Sequence, residues 1–217
     1  MKDQRQHWNH AHKEQWLHAH SEHQTEFADE VNKALTPHSK VLELGCGEGN
    51  DSIYFAKEGH DVVATDFSDI AIAQDKERWI HDHLRFEEQD ISQPFKFADN
   101  SFDNVYARLS LHYFPDQTTK AVFQEIKRVL KPGGSLYFMC KATSDSIYGK
   151  GEEIEPDMYE LDGHVRHFFS EPYVIKLLDQ AGFTTESIVS GEEIIYDRQS
   201  AFIKVIARKD HLHEVKR

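Results

Sequence analysis

The sequence predicts an α/β fold with a doubly wound, mostly parallel sheet of seven strands that ends in an antiparallel hairpin. Apolar runs of strand length alternate along the chain with amphipathic runs of helical spacing. A glycine-rich turn follows the first of these strands, and no helical run separates the last two. With 217 residues, of which 39% are hydrophobic, the chain is expected to form one domain.

The first half of the chain is predicted to hold three strands with helices between them. An opening helix carries Phe27, Val31, Ala34 and Leu35 and ends at Thr36-Pro37, because the residue before a proline disfavours helix. The elements that follow it are a strand over 40–44, a glycine-rich loop over 45–49, a helix with Ile53, Phe55 and Ala56 that runs to Gly59, a strand over 61–65 ending at Asp66, a helix capped by Ser68 with Ile70, Ala73 and Ile80 as its apolar stripe, and a strand over 84–89 ending at Asp90.

The second half is predicted to complete the sheet. Its first elements are a strand over 102–107, a loop over 108–115, a helix striped by Ala121, Ile126, Val129 and Leu130, a Lys-Pro-Gly-Gly turn over 131–134 and a strand over 135–140. A helix over 171–181 follows, with Gly182 as its C-cap. The strands over 184–189 and 200–207 are expected to pair as an antiparallel hairpin, because no helix lies between them.

Composition argues against several classes of protein. A net charge of −13 favours a folded acidic protein and speaks against a nucleic-acid partner, because phosphate binding depends on Lys and Arg. No apolar run approaches the roughly 20 residues of a membrane-spanning helix, and residues 1–12 lack the apolar core of a signal peptide. We therefore expect a cytoplasmic protein that does not contact membranes, and its oligomeric state is left open. Two cysteines, Cys46 and Cys140, predict no disulfide framework.

Fifteen histidines raise the question of a metal site. The pairs at i,i+3 spacing are His7 with His10, His20 with His23, and His164 with His167. Such spacing can place two imidazoles on one helix face, but no third and fourth ligand can be assigned. We expect solvated surface pairs and no metal.

The segment from Val41 to Gly49 is the most informative part of the sequence. Its glycines, Gly45, Gly47 and Gly49, would let the backbone approach a ligand closely, because no Cβ intervenes. Dinucleotide enzymes carry G-x-G-x-x-G at this position, whereas here Asn50 stands where the third glycine would be. The carboxylate of Glu43 would not favour a pyrophosphate, but it would favour a cofactor that bears an ammonium group. Cys46, inside the loop, is interpreted as a packing residue.

With these marks in order, residues 40–140 resemble the class I S-adenosylmethionine-dependent methyltransferase family, and the C-terminal hairpin resembles it more loosely. Further marks are the F-D-x-V strand at 102–105 and the L-K-P-G-G turn at 130–134. The resemblance implies a Rossmann-like sheet and S-adenosyl-L-methionine as cofactor. Within the family, residues 49–66 are similar to small-molecule enzymes of the tellurite-resistance and thiopurine type.

The resemblance also implies roles for single residues. The loop would hold the methionine part of the cofactor, Asp66 would accept both ribose hydroxyls, and Phe67 would lie against the adenine. Asp90 with Ile91 would read the adenine amino group. The residues expected to bind the cofactor are Glu43, Gly45, Cys46, Gly47, Gly49, Asp66, Phe67, Asp90, Ile91 and Arg108.

The acceptor is expected beyond the carboxyl ends of the strands, where ligands bind in open α/β sheets. Arg108, Ser110, His112 and Tyr113 follow the fourth strand. An acceptor hydroxyl or amine would need a base, for which His112 or Tyr113 is best placed, whereas a thiolate or a tellurium or selenium oxyanion would need none. His112 would otherwise only pack beneath a lid. Arg108 would bind the cofactor carboxylate or an acidic acceptor, or pair with a neighbouring acid.

Two segments are expected to cover that site within a single methyltransferase domain over 1–217. Residues 141–167 are too long for a plain connection and are read as an insertion over the acceptor site; they carry Tyr148, Tyr159, Arg166 and His167. Residues 1–35 are read as an N-terminal helical lid segment, with Trp8 and Trp16.

Several functions fit these residues. The leading one is methyl transfer to a small-molecule acceptor. Methyl transfer to a transfer RNA or a protein is an alternative, as is a non-catalytic S-adenosylmethionine-binding protein. An NAD-dependent oxidoreductase is disfavoured by Glu43 and Asn50.

Overall fold

A computed structural model describes residues 8–10, 12, 23–195 and 198–210. Residues 8–10 are helical, and the elements that follow them alternate between helix and strand as far as β3, after which β4 follows β3 without a helix between them. In chain order they are α1 (Glu26–Asn32), β1 (Lys40–Leu44), α2 (Asn50–Lys57), β2 (Asp61–Asp66), α3 (Asp69–Arg78), β3 (Leu84–Glu88), β4 (Phe102–Arg108), α4 (Asp116–Val129), β5 (Leu130–Lys141), β6 (Glu152–Glu155), β7 (Met158–Leu161), β8 (His164–His167), α5 (Glu171–Ala181), β9 (Phe183–Ile195) and β10 (Arg198–Lys209).

Seven strands form the main sheet in the order β3-β2-β1-β4-β5-β10-β9. The pairs from β3 to β5 are parallel, while β10 runs antiparallel to both β5 and β9. Neighbouring residues of β1 supply two different apolar clusters: Val41 packs with Phe55 of α2, and Leu42 packs with Phe123 of α4. Helices therefore cover both faces of the sheet, and the predicted fold class, including its C-terminal hairpin, is confirmed.

The predicted apolar stripes of two helices are wrong in part. In α3 the buried residues are Ala71, Ile72 and Asp75, whereas Ile80 lies beyond the helix and is 88% exposed. In α4 Ala121 is exposed, and the buried face carries Val122 and Phe123 beside the predicted Ile126 and Val129. A cap was easier to predict: Ser68 accepts a hydrogen bond from the Ala71 amide, as expected for an N-cap.

Strand β5 begins earlier than predicted. It starts at Leu130 rather than at Ser135, so the Lys-Pro-Gly-Gly segment belongs to the strand as an irregular stretch. Gly133 has a φ of 74° there, and the register against β4 shifts between Phe102 and Asn104. The turn-forming residues thus make a bulge that the pairing tolerates.

The insertion over 141–167 contains a small antiparallel sheet in the order β6-β7-β8. Its members His164 and His167 lie on a strand and are 8% and 2% exposed, so the expectation of a solvated helical pair is wrong for them. His10 and His23 are described, but their partners His7 and His20 lie outside the described residues. Among the residues that the structure describes, no group of three or more His, Cys, Asp or Glu side chains is arranged to hold a metal ion.

The helices of the described ranges are all too short or too polar to cross a bilayer.

Candidate cofactor and acceptor site

The glycine-rich loop is fixed to the end of β2. The amides of Gly45 and Cys46 both donate to the Thr65 carbonyl, at 2.8 and 2.9 Å. A Cβ on Gly45 would lie 2.4 Å from Cβ of Ser110, so this position tolerates no side chain. Gly47 has a φ of 58°, and nothing would lie within 4 Å of its Cβ. Gly45 is therefore needed for packing, whereas Gly47 presents bare backbone to open space.

Asp66 ends β2 directly beside this loop. Its Oδ2 accepts the Gly47 amide at 3.2 Å and its Oδ1 accepts the Ser68 amide at 2.9 Å. The residue is 7% exposed, and Phe67 follows it half-buried. A carboxylate accepts hydrogen bonds at both of its oxygens, which is the chemistry that a pair of ligand hydroxyls requires.

Asp90 and Ile91 follow β3 at the same edge of the sheet. Oδ1 of Asp90 accepts the Ser92 amide at 2.9 Å and the Ser92 hydroxyl at 2.7 Å, which closes a local turn. Ile91 is 8% exposed and packs in the cluster that contains Leu42 and Leu44. The side chain of Asp90 thus points back onto its own turn through one oxygen.

Behind the loop lies a group of buried acids. Glu43 accepts the Ser52 hydroxyl at 2.5 Å, and burial, helped by Asp51, raises the pKa of its carboxyl well above the usual range. Asp51 in turn accepts the Tyr106 hydroxyl at 2.7 Å and the Thr25 amide at 2.7 Å. Glu43 is therefore a buried acid that holds its proton tightly, and its contact with a cofactor ammonium stays a prediction.

Asp75 of α3 is a member of the site that the sequence analysis missed. It is 3% exposed, and the Cys46 thiol lies 3.8 Å from its Oδ2. Burial, together with the charge of Asp66, raises the pKa of Asp75 to about 8, so it is mostly protonated at neutral pH. Burial likewise raises the pKa of Cys46, which leaves an inert thiol, consistent with a packing residue. The sequence did contain a signal for this, because Asp75 stands four residues after Ala71 and three after Ile72, which places it on the same helix face.

The residues after β4 turn across the carboxyl end of β1. Leu109 has a φ of 55°, which is rare for a branched side chain, and its amide donates to the Met139 carbonyl at 2.8 Å. The Ser110 hydroxyl donates to the Leu44 carbonyl at 2.5 Å. These contacts direct the chain so that His112 and Tyr113 lie beside the cofactor loop's edge of the sheet.

His112 is 1% exposed, and its ring lies 4.4 Å from that of Tyr113. Within the described part of the chain, neither of its ring nitrogens has a hydrogen-bond partner. Burial, with the charges of Arg166 and Lys141, lowers the pKa of His112 well below its usual value. The ring is therefore neutral at pH 7 and keeps one nitrogen able to accept a proton.

The N-terminal residues and the insertion meet over this loop. The Tyr113 ring stacks on that of His164 at 5.3 Å, and Trp8 contacts both rings edge-on, at 5.6 and 5.3 Å. Asn9 accepts the Ser68 hydroxyl at 2.6 Å. Trp8 and Asn9 thus reach from the start of α3 to the insertion; Trp16 lies outside the described residues.

Arg108 pairs with a neighbouring acid, which is one of the roles considered for it above. Its Nη2 lies 3.4 Å from Oε1 of Glu193 on β9, and both side chains are 22% exposed. The hairpin β9–β10 therefore supplies an acid to the end of β4. A role for Arg108 in binding the cofactor stays a prediction.

The other charged residues of the acceptor side come from β5 and β8. Nζ of Lys141 pairs with Oδ2 of Asp145 at 2.9 Å, and the latter side chain is 2% exposed. Nη2 of Arg166 lies 2.6 Å from Nδ1 of His164. Of the two other insertion residues, Tyr159 lies opposite Arg166 in the β7–β8 pair and packs its ring against that of Tyr148 at 5.5 Å. The Tyr148 hydroxyl donates to Asp157 at 2.6 Å.

The geometry fits a cofactor that carries a ribose and an adenine. A bare glycine loop, a carboxylate at the end of β2 and an acid at the end of β3 share one edge of the sheet, which is where doubly wound folds bind nucleosides. The tight packing at Gly45 and the open space at Gly47 agree with backbone that approaches a ligand.

Comparison with known proteins agrees with this geometry. The family described as "Methyltransferase domain" matches residues 41–134. An uncharacterized methyltransferase of Synechocystis sp. is 29% identical over 154 residues, 70% of each chain. Phosphoethanolamine N-methyltransferase 1 of Arabidopsis thaliana is 29% identical over 85% of this chain, which spans 35% of that protein. Among solved structures, an S-adenosylmethionine-dependent methyltransferase of Methanosarcina mazei superposes with a TM-score of 0.74 at 22% identity, covering 84% of this chain and 97% of that one. Residues 41–134 thus match a methyltransferase domain, and the relatives and solved structures support an assignment to the class I S-adenosylmethionine-dependent methyltransferases, with S-adenosylmethionine as the cofactor.

Proposed function

We propose that the protein transfers the methyl group of S-adenosylmethionine to a small-molecule acceptor bound beside His112 and Tyr113. The observation that carries the proposal is the cover over this place: Trp8 contacts Tyr113 and His164 together. A covered site excludes water and leaves room for a small acceptor. The similarity to an enzyme named for phosphoethanolamine supports the same class of acceptor.

Within this proposal, the chain's own residues bind and orient. The bound cofactor supplies an electrophilic methyl group. The glycines of the loop and Glu43 hold its methionine part, Asp66 its ribose, and Phe67, Asp90 and Ile91 its adenine. Correct alignment of the reacting atoms is the main requirement of such a displacement.

His112 is proposed as the base for an acceptor hydroxyl or amine, with Tyr113 as the second candidate. A neutral, buried imidazole has the lone pair that the step needs. The closer likeness to tellurite-resistance and thiopurine enzymes stays a prediction.

An acceptor screen tests the function. Purified protein with S-adenosylmethionine is offered small amines, alcohols, thiols and tellurium or selenium oxyanions, and in parallel bulk transfer RNA and unfolded protein. We expect S-adenosylhomocysteine to accumulate only with small compounds. Turnover confined to transfer RNA or protein would favour a macromolecular acceptor, and cofactor binding without any turnover would favour a non-catalytic binding protein.

Closure of the cover is a second expected result. We expect S-adenosylhomocysteine to slow hydrogen exchange both around Trp8 and in β6–β8, because ordering one surface supports the other. Peptides from the start of β9, which lie away from the site, serve as the internal control and should exchange at the same rate with and without ligand. If the two covering segments exchange at the same rate with and without S-adenosylhomocysteine, the site is open, as a large acceptor requires.

A further inference from the structure

Positive charge is concentrated beside the proposed acceptor position, although the chain carries a net charge of −13. Burial, with the charges of Arg166 on β8 and Arg198 on β10, lowers the pKa of Lys141 on β5. Burial and the charge of Arg198 also lower the pKa of Arg166. Both Arg166 and Lys141 add to the field that lowers the pKa of His112. In a protein of net negative charge, such a local cluster of cations would attract an anionic ligand.

Two cations at this end of the sheet, Lys141 and Arg108, already have carboxylate partners. Asp145 pairs with Lys141 and also accepts the amides of Ile147 and Ala201, at 3.1 and 2.9 Å. Glu193 pairs with Arg108. Asp145 and Glu193 are thus already paired with Lys141 and Arg108.

Arg166 differs from Lys141 and Arg108 in its partner. Its one hydrogen-bond partner among the described residues is Nδ1 of His164, and no carboxylate of those residues lies within ion-pair distance. The side chain is half-buried, and desolvation lowers its pKa despite the more distant charges of Asp145 and Asp162. A desolvated guanidinium without a carboxylate is costly unless another anion pairs with it.

Arg166 also lies where a ligand could reach it. Its partner His164 stacks on Tyr113, and the Tyr113 ring also contacts His112. The His112 ring has two buried nitrogens with no partner in the described chain, and a buried polar group of this kind calls for one. A guanidinium is suited to an oxyanion, which it can bind through two parallel hydrogen bonds.

We propose that the acceptor carries an anionic group, a carboxylate or a phosphate ester, and that Arg166 pairs with it. This inference rests on the proposed function and adds the chemical class of the acceptor. Arg166 is a specificity residue in this scheme. It binds the end of the acceptor that does not react, which orients the nucleophile toward the cofactor.

Calorimetry on the protein saturated with S-adenosylhomocysteine tests the inference, with inorganic phosphate and acetate as probes. Three variants are compared with the unaltered chain: Arg166→Gln, Arg166→Lys and Arg85→Gln. Arg85 is the matched control, because it is an exposed arginine of β3 that pairs with Glu87. Circular dichroism and thermal unfolding establish that each variant is folded.

We expect the unaltered chain and Arg85→Gln to bind at least one probe equally. Arg166→Gln should bind it at least about tenfold more weakly, with an intermediate value for Arg166→Lys, which keeps the charge but loses the planar fork. The dissociation constant of S-adenosylhomocysteine should stay the same throughout. Preference for phosphate or for acetate then identifies the kind of acceptor.

Three results would overturn the inference. They are binding of neither probe by the unaltered chain, equal binding by Arg166→Gln, and a loss that falls on S-adenosylhomocysteine instead, which would assign Arg166 to the cofactor's own carboxylate. The proposed function fails separately. If no acceptor in the screen is methylated while a probe still binds through Arg166, the anion site stands and catalysis does not.

Discussion

Replacement of Asp66 by alanine should weaken the binding of S-adenosylhomocysteine at least about tenfold, measured by calorimetry. Two ribose hydroxyls would lose a charged acceptor, and hydrogen bonds to charged groups contribute about 1.5–3 kcal/mol each. The loop would also lose the contact between the Gly47 amide and Oδ2. The lost hydroxyl contacts and the lost loop contact both weaken binding of the ligand.

The fold of this variant should survive. Asp66 raises the pKa of the neighbouring buried acid Asp75 by repulsion, and its removal relieves that repulsion. Asp66→Asn, which keeps the shape and one carbonyl acceptor, should fall between the two. Asp61→Asn is the control, because Asp61 begins the same strand at the opposite edge and pairs with His83 there. A folded Asp66→Ala with an unchanged dissociation constant would place the ribose elsewhere.

The cofactor side was readable from sequence because it is local. The strand β1, the loop and α2 follow one another directly, so Gly45, Gly47 and Gly49 report on their own turn. Each acid that the resemblance singles out stands at the end of a strand whose apolar run marks its position. The order of apolar runs also predicted the sheet, including the antiparallel β10.

The acceptor side was not readable in the same way, because its contacts join distant parts of the chain. His167 forms a hydrogen bond with the Phe114 carbonyl, 53 positions away in the sequence. No pattern in either segment predicts that the two meet. Periodicity failed for the insertion because each of its strands has four residues, too few to distinguish strand from helix. Burial of Asp75 shows a further limit, since the predicted stripe of α3 was chosen from apolar residues alone.

The other large effect is expected at His112. Substitution by glutamine, which keeps the approximate size, should lower kcat by a factor of about 10² to 10⁴ for an acceptor that must lose a proton, since this is the usual contribution of a general base. The imidazole must be unprotonated to act. Because its pKa is lowered, the unaltered enzyme should stay active below pH 6.5, a model-peptide value for histidine, and lose activity only at lower pH. This acidic limb should be absent from the glutamine variant.

The controls separate a base from a packing residue. His83→Gln alters an exposed histidine at the opposite edge of the sheet and should leave the rate and the pH profile unchanged. Tyr113→Phe keeps the stack with His164 and removes the hydroxyl, so it measures the second candidate base by itself. If His112→Gln retains both its rate and its acidic limb, the ring only packs beneath the cover.

Loss of rate together with a rise in the dissociation constant of S-adenosylhomocysteine would point to a distorted loop instead. A thiolate acceptor, which needs no base, should be methylated by His112→Gln at nearly the unaltered rate, and comparison of thiol with amine acceptors therefore isolates proton removal from every structural effect of the substitution.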